Sequence, residues 1–439
     1  MSLHMPSEPI PGPAVDHRRW PDVADVPRPA PIRTAVAQRI VRGAFERLPL
    51  RVRAGDGEIL GLGGPLLELH DPDSFFRRIG RSGLIGFGES YMAGEWDAPD
   101  LVGPLTVLAE HVTTLVPRPL QRLRGLWARR QPPRQRNTQT HSRENIHHHY
   151  DLSNDLFALF LDDTLSYSSA LFRTLPATWP ELRGAQHAKI DRLLDLAEVG
   201  PGTRLLEIGT GWGELALRAA GRGAHVVTVT LSQEQLDLAR ERVRAAGQQE
   251  RVTLLLRDYR QLTGSYDAVV SVEMIEAVGA EFWPDYFAVL DKLLAPGGRA
   301  ALQAITMPHE RMLAGRRTHT WIQKYIFPGG LLPSLEAVAA TTRKSTGLRL
   351  ARHEGFGPHY AETLRLWRER FTAHAPEVAA LGFDTTFRRM WTFYLAYSEA
   401  GFRSGYLDVK QLLLTRPAST EPASTEPAST APPNEKSAQ

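Results

Sequence analysis

From residue 203 onward, short apolar runs alternate with longer amphipathic ones. "TRLLEI" (203–208), "HVVTVT" (225–230), "RVTLLL" (251–256), "YDAVVSV" (266–272) and "GRAALQAI" (298–305) are compact and mostly apolar, as expected of strands buried on both faces. Between the first pair, residues 213–222 repeat apolar positions at helical spacing. "SQEQLDLARERVRAAG" does the same after the second strand, and Ser232 with Gln235 three residues on forms a capping-box signature. Strand–helix alternation predicts an α/β fold: a mostly parallel sheet covered by helices on both faces. Ligands in such sheets bind beyond the carboxyl ends of the strands.

Upstream the rhythm differs. Residues 36–117 mix strand-like runs ("LRVRAGDGEILGLGGPLLELHD") with helical ones ("DPDSFFRRIGRSG", "PDLVGPLTVLAEHVTTLV"), which predicts a small α+β domain. Residues 118–142 form a basic helix and linker ahead of a second domain spanning 143–415. Residues 1–35 are Pro-rich and aperiodic, and 416–439 repeat a PASTE unit, so both are expected to lack a fold.

Composition narrows the options. A chain of 439 residues, 42% apolar and 23% charged, suits a soluble protein of two domains with tails. Neither a membrane span nor the apolar core of a signal peptide is evident, so a cytoplasmic protein is expected. Cysteine is absent, which excludes disulfides, thiolate zinc sites, iron–sulfur clusters on Cys and a thiol nucleophile. The net charge of +3 matters less than its distribution. Residues 118–136 carry seven Arg and no acid, with Leu120, Leu123, Leu126 and Trp127 at helical spacing. This segment reads as a solvated inter-domain helix or as an amphipathic element that docks on anionic lipid. A nucleic-acid patch is disfavoured, because one aromatic and no recognition module accompany it.

Gly209, Gly211 and Gly213 follow the first strand directly and open a helix, where a ligand needs a tight turn and close backbone approach. A dinucleotide fingerprint needs a third glycine at 214, which is Glu, and an acid ending the second strand, which ends "VTVTLS". Glu207 instead suits a sulfonium cofactor carrying an amino-acid ammonium. The ExGxGxG pattern resembles motif I of the class I S-adenosylmethionine methyltransferases. That likeness places Thr230, Leu231 and Gln235 near the ribose and methionine portion, and Asp258 and Tyr259 near the adenine.

More distant stretches narrow the resemblance. "HHHYDLSNDLFALFLDDTLSYSSALF", "SVEMIEAVG", "KYIFPGGLLPS", "GFGPHYAETLRLW" and "TFYLAYSEAGFRSG" are similar to the cyclopropane-fatty-acid synthase family, and "FFRRIGRSGLIGFGESYMAGEWD" resembles its N-terminal domain. The likeness covers about 40–415. It implies methyl transfer to a cis double bond in an acyl chain of an unsaturated phospholipid at the membrane surface. A carbocation follows, and proton loss gives a cyclopropane or, after a hydride shift, the exocyclic methylene made by actinobacterial relatives on the way to 10-methyl fatty acids.

The family's base is bound bicarbonate. Carried over by motif, its holders are Glu276, Tyr360 and the Ile305 backbone, with Ser169 and Gln303 standing where Cys and His are common. Tyr167 and Ser168 are implied at the methionine end, and His149–Tyr150–Asp151 as a segment closing over the cofactor. His147, His148 and His149 do not read as a metal site, because adjacent positions cannot readily face one ion. An acyl channel with π-faces for the cation is expected from Tyr325, Phe327, Trp391 and Tyr394. A homodimer is usual in the family, and a reductase would be needed to saturate a methylene product. Two other readings compete: a small-molecule N- or O-methyltransferase, and a non-catalytic lipid-binding relative.

Overall fold

The structure, a computed structural model, describes residues 15–115 and 153–416 apart from 29, 56 and 317. The basic segment 118–136, the histidine run with Tyr150 and Asp151, and the PASTE tail lie outside the described residues.

The small domain holds a four-stranded sheet of β1 (Arg51–Ala54), β2 (Ile59–Leu60), β3 (Leu66–Leu69) and β4 (Trp96–Asp97), in the order β2-β1-β3-β4. Helices Pro31–Phe45, Pro72–Ser82, Leu84–Met92 and Val102–Glu110 accompany it. Its core is not its own. Phe75, Trp96 and Met92 belong to one cluster with Phe157, Trp391 and Phe393 of the large domain. Gly88 lies so close to Trp321 that a Cβ there would sit 2.4 Å from the indole. Arg389 closes the junction, donating to the carbonyls of Tyr91 (2.6 Å) and Trp96 (3.1 Å) and to Asp97 (2.9 Å).

The expectation of no fold before residue 36 is overturned for the described part. Pro21–Ala24 and Pro31–Phe45 are helices, and both start on a proline, which the first turn tolerates. Buried Arg78 donates to the carbonyls of Asp22 (2.9 Å) and Val23 (2.6 Å) while pairing with Glu95 at 2.7 Å, so tertiary contacts hold a segment that composition marks as loose.

The large sheet comprises β5 (Arg204–Ile208), β6 (His225–Thr230), β7 (Val252–Leu256), β8 (Tyr266–Val272), β9 (Leu294–Thr306), β10 (Arg349–Gly355) and β11 (Asp408–Thr415). Its order is β10-β11-β9-β8-β5-β6-β7. β5 to β9 pair in parallel, and β11 runs antiparallel between β9 and β10. From β5 the chain builds outward through β6 and β7, then returns to lay β8 on the other side. The crevice at such a switch point is where α/β sheets bind ligands, and the residues after β5 and β8 line it. The capping box at Ser232 is half formed. Ser232 Oγ accepts from the Gln235 amide at 3.2 Å, but the Gln235 side chain accepts from the Thr230 hydroxyl instead.

Candidate active site

The turn after β5 has the geometry its glycines suggest. Gly209, Gly211 and Gly213 have φ of +101°, +51° and +90°, in the left-handed region that side chains disfavour. Gly209 also lies against Met274, where a Cβ would come within 2.8 Å. Tyr167, Ser168, Glu207, Gly209, Gly211, Thr230, Leu231, Gln235, Asp258 and Tyr259 all line one cleft. Gly213 does not; it caps the helix Glu214–Gly221 and packs on Ala239.

Glu207 is 3% exposed, and its Oε2 has no partner among the described residues. Burial pushes its carboxyl up to about 8, against an ordinary value of 4.5. An ammonium in the cleft would satisfy that oxygen. Asp258 is already engaged: its carboxylate accepts from the Arg260 amide and guanidinium at 2.6–2.9 Å. Lys189, Trp212, Glu273 and Met274 also line the cleft and were missed in the sequence. Lys189 is buried, donates to Ser168 Oγ at 2.5 Å, and is held down to about 8 by desolvation.

The expected anion-site residues converge, but on a different centre. The Ser169 amide donates to Glu273 Oε1 at 3.0 Å, the Gln303 amide group to the same oxygen at 2.9 Å, and the Tyr360 hydroxyl to Oε2 at 2.7 Å. Glu276 lies beside this group, accepting from the Ile305 amide at 2.5 Å with its Oε2 unpartnered among the described residues. Burial, then the neighbouring Glu273, push Glu276 up to about 8. The donors expected to hold bicarbonate are therefore taken by two carboxylates of the chain itself, and the site does not fit a further anion. "SVEMIEAVG" contains both acids, and only the structure tells them apart. Glu273 is also a non-glycine residue with φ of +51°, a strained conformation of the kind found at functional sites.

The expected channel residues divide. The Tyr394 hydroxyl lies 2.8 Å from that of Tyr167, which lines the cleft, and Phe327 packs edge-on against Tyr394 one layer further out. Trp391 is 1% exposed among Phe160, Phe387 and Phe371 and belongs to the core. Tyr325 turns toward the small domain, donating to buried Glu89 at 2.9 Å beside Trp321. It is not among the residues that line the cleft.

A switch-point cleft with a left-handed glycine turn, an acid near the end of β5 that keeps one oxygen unpartnered among the described residues, and a mostly parallel sheet are those of a class I S-adenosylmethionine-dependent methyltransferase. Comparison with known proteins narrows this further. Residues 137–412 match the family described as mycolic acid cyclopropane synthetase, and the chain belongs to it. It is 57% identical over 415 residues to tuberculostearic acid methyltransferase UfaA1 of Mycobacterium tuberculosis, covering 92% of this chain and 97% of that one. It is 35% identical to the cyclopropane-fatty-acyl-phospholipid synthase of Escherichia coli K12 over 80% of this chain and 87% of that one. Among solved structures, cyclopropane synthase MmaA2 of M. tuberculosis aligns with a TM-score of 0.57 at 35% identity, over 62% of this chain and 97% of that one. The mycolic acid cyclopropane synthase CmaA1, solved with SAH and CTAB, aligns with a TM-score of 0.57 at 33% identity, over 62% and 97%.

Proposed function

We propose that this enzyme methylates a cis double bond in an acyl chain of an unsaturated membrane phospholipid and releases it as an exocyclic methylene. One observation carries the reading. The wall of the cofactor cleft carries a half-buried acid, Glu273, hydrogen-bonded to the Tyr360 hydroxyl, and the ring of Tyr167, which lies 5.4 Å from that of Trp367. An alkene that attacks a methyl group becomes a cation, which requires π-faces and a proton acceptor rather than an acid that binds an amine.

S-Adenosylmethionine supplies an electrophilic methyl carbon on a sulfonium. Glu207 would hold its ammonium, the turn at Gly209–Gly211 its amino-acid end, and Thr230–Gln235 its ribose. The methylene outcome draws support from the higher identity to a tuberculostearic acid methyltransferase than to the cyclopropane synthases. Such a product calls for a reductase to saturate it. No helix among the described residues is long and apolar enough to cross a membrane. Access to lipid is assigned to the basic segment 118–136, whose arginines suit anionic headgroups at the inner membrane face. A homodimer rests on the family alone.

The test is transfer of labelled methyl from the cofactor to vesicles of dioleoyl or distearoyl phospholipid with some anionic lipid. Label entering only the unsaturated lipid is expected. No label in any unsaturated lipid, with normal S-adenosylhomocysteine binding, would contradict the reading.

A further inference from the structure

The donors assembled around Glu273 fix its state as well as its place. Arg192 has no acceptor atoms, and its Nε donates to Gln411 Oε1 at 2.7 Å. That contact turns the Gln411 amide nitrogen toward Gln303 Oε1, 3.1 Å away, and toward the Lys189 carbonyl at 3.0 Å. With its oxygen so engaged, Gln303 presents its own nitrogen to Glu273 Oε1. The Ser169 amide, which can only donate, meets the same oxygen. Every link runs in one direction, from a guanidinium on the helix Leu182–Leu196 to a carboxylate in the cleft. Glu273 Oε1 is thereby an acceptor twice over, while Oε2 accepts once from Tyr360 and keeps a lone pair.

We propose that the Glu273 carboxylate is the base that takes the proton from the newly transferred methyl group, in the place that a bound bicarbonate would otherwise fill. This rests on the C-methylation reading above. The alkene π pair forms the new carbon–carbon bond, and the carbon–sulfur pair departs with sulfur, leaving a carbocation on the acyl chain. A hydride moves from the methyl-bearing carbon to its neighbour. One C–H bond of the methyl then breaks, its electron pair forms the exocyclic double bond, and the proton passes to Glu273. The resulting carboxylic acid returns the proton to water once product leaves, so no further reactant is needed.

Two other features agree. Glu273 lines the cofactor cleft itself, whereas none of the five residues expected to hold bicarbonate does. It also occupies a left-handed backbone position, φ +51°, that L-residues disfavour.

The experiment measures methyl transfer to dioleoyl vesicles by the full chain in buffer stripped of carbon dioxide and with bicarbonate restored, for wild type and Glu273→Gln. Wild-type turnover should not change with bicarbonate. Glu273→Gln should lose about 10²- to 10⁴-fold in turnover while S-adenosylhomocysteine binding by calorimetry stays within a few-fold. Restored turnover of Glu273→Gly on adding bicarbonate or formate would support the assignment further. Wild-type turnover that collapses without bicarbonate would overturn it, as would a Glu273→Gln enzyme that turns over normally. If Glu273→Gln does not fold, the bicarbonate response of the wild type decides alone. A wild type inactive on every unsaturated lipid would instead defeat the C-methylation reading, so the two failures are distinguishable.

Discussion

The hydroxyl of Tyr360, on the helix Gly357–Ala373, donates to Glu273 Oε2 across 2.7 Å, joining the β10–β11 side of the fold to the end of β8. Burial raises the Glu273 carboxyl, and the Tyr360 hydroxyl, Gln303 amide, Ser169 amide and Lys189 charge oppose that rise. Tyr360→Phe removes one opposing donor. The acid limb of the kcat profile should then move to higher pH, with kcat lower by about 10- to 100-fold. Cofactor affinity should not change. A profile that keeps its acid limb in place would separate Tyr360 from the base.

Glu207 offers a different readout. Its unpartnered, buried Oε2 is suited to the ammonium of the cofactor. Glu207→Ala should weaken S-adenosylhomocysteine binding by about 10- to 100-fold in calorimetry, the value of one charge-assisted hydrogen bond. An adenosine analogue without the amino-acid portion should bind both proteins alike.

Stability without cofactor should fall as pH rises from 5 to 8. Native Glu207 and Glu276 keep their protons up to about 8, whereas the unfolded chain releases them near 4.5. Within that window the native state binds more protons, so its advantage is fully present at the acid end and is lost as pH rises through 8. Lys189, held down to about 8, acts above this window and in the opposite sense. Thermal melts of wild type and Glu207→Gln at pH 6 and pH 8 provide the check. The wild type should lose more than the variant.

The seam between the domains has no slack at Gly88. A methyl there meets the Trp321 ring at 2.4 Å, so Gly88→Ala must displace the indole or the helix Leu84–Met92. The expected loss is about 1–3 kcal/mol in urea denaturation, the usual consequence of overpacking. Unchanged stability would mean that the small domain is not docked as described.

Much of the scaffold is legible because it depends on local patterning. β5 to β9 are written as apolar runs, and the cleft residues after β5, β6 and β7 follow from fold order alone. β10, "RLARHEG", is not legible, since it is an exposed edge strand with almost no apolar face. The order of the segment before residue 36 depends on Arg78, more than fifty residues downstream of Asp22. The active acid was hidden for a similar reason. Glu273 and Glu276 stand three residues apart in one motif, and a resemblance points to the second. Only side chains from β9, β11 and the helix Gly357–Ala373 show which of the two receives the donors.

The central claim is that a methyl group is added to an alkene and then loses one of its own hydrogens. It is tested most directly with a trideuteromethyl cofactor and dioleoyl phospholipid vesicles, followed by mass spectrometry and proton NMR of the recovered fatty acids. The account predicts that two deuteriums are retained per transferred carbon, and that the product is a vinylidene group whose methylene positions carry deuterium. Retention of all three deuteriums, or transfer to nitrogen or oxygen in place of the acyl chain, would contradict it.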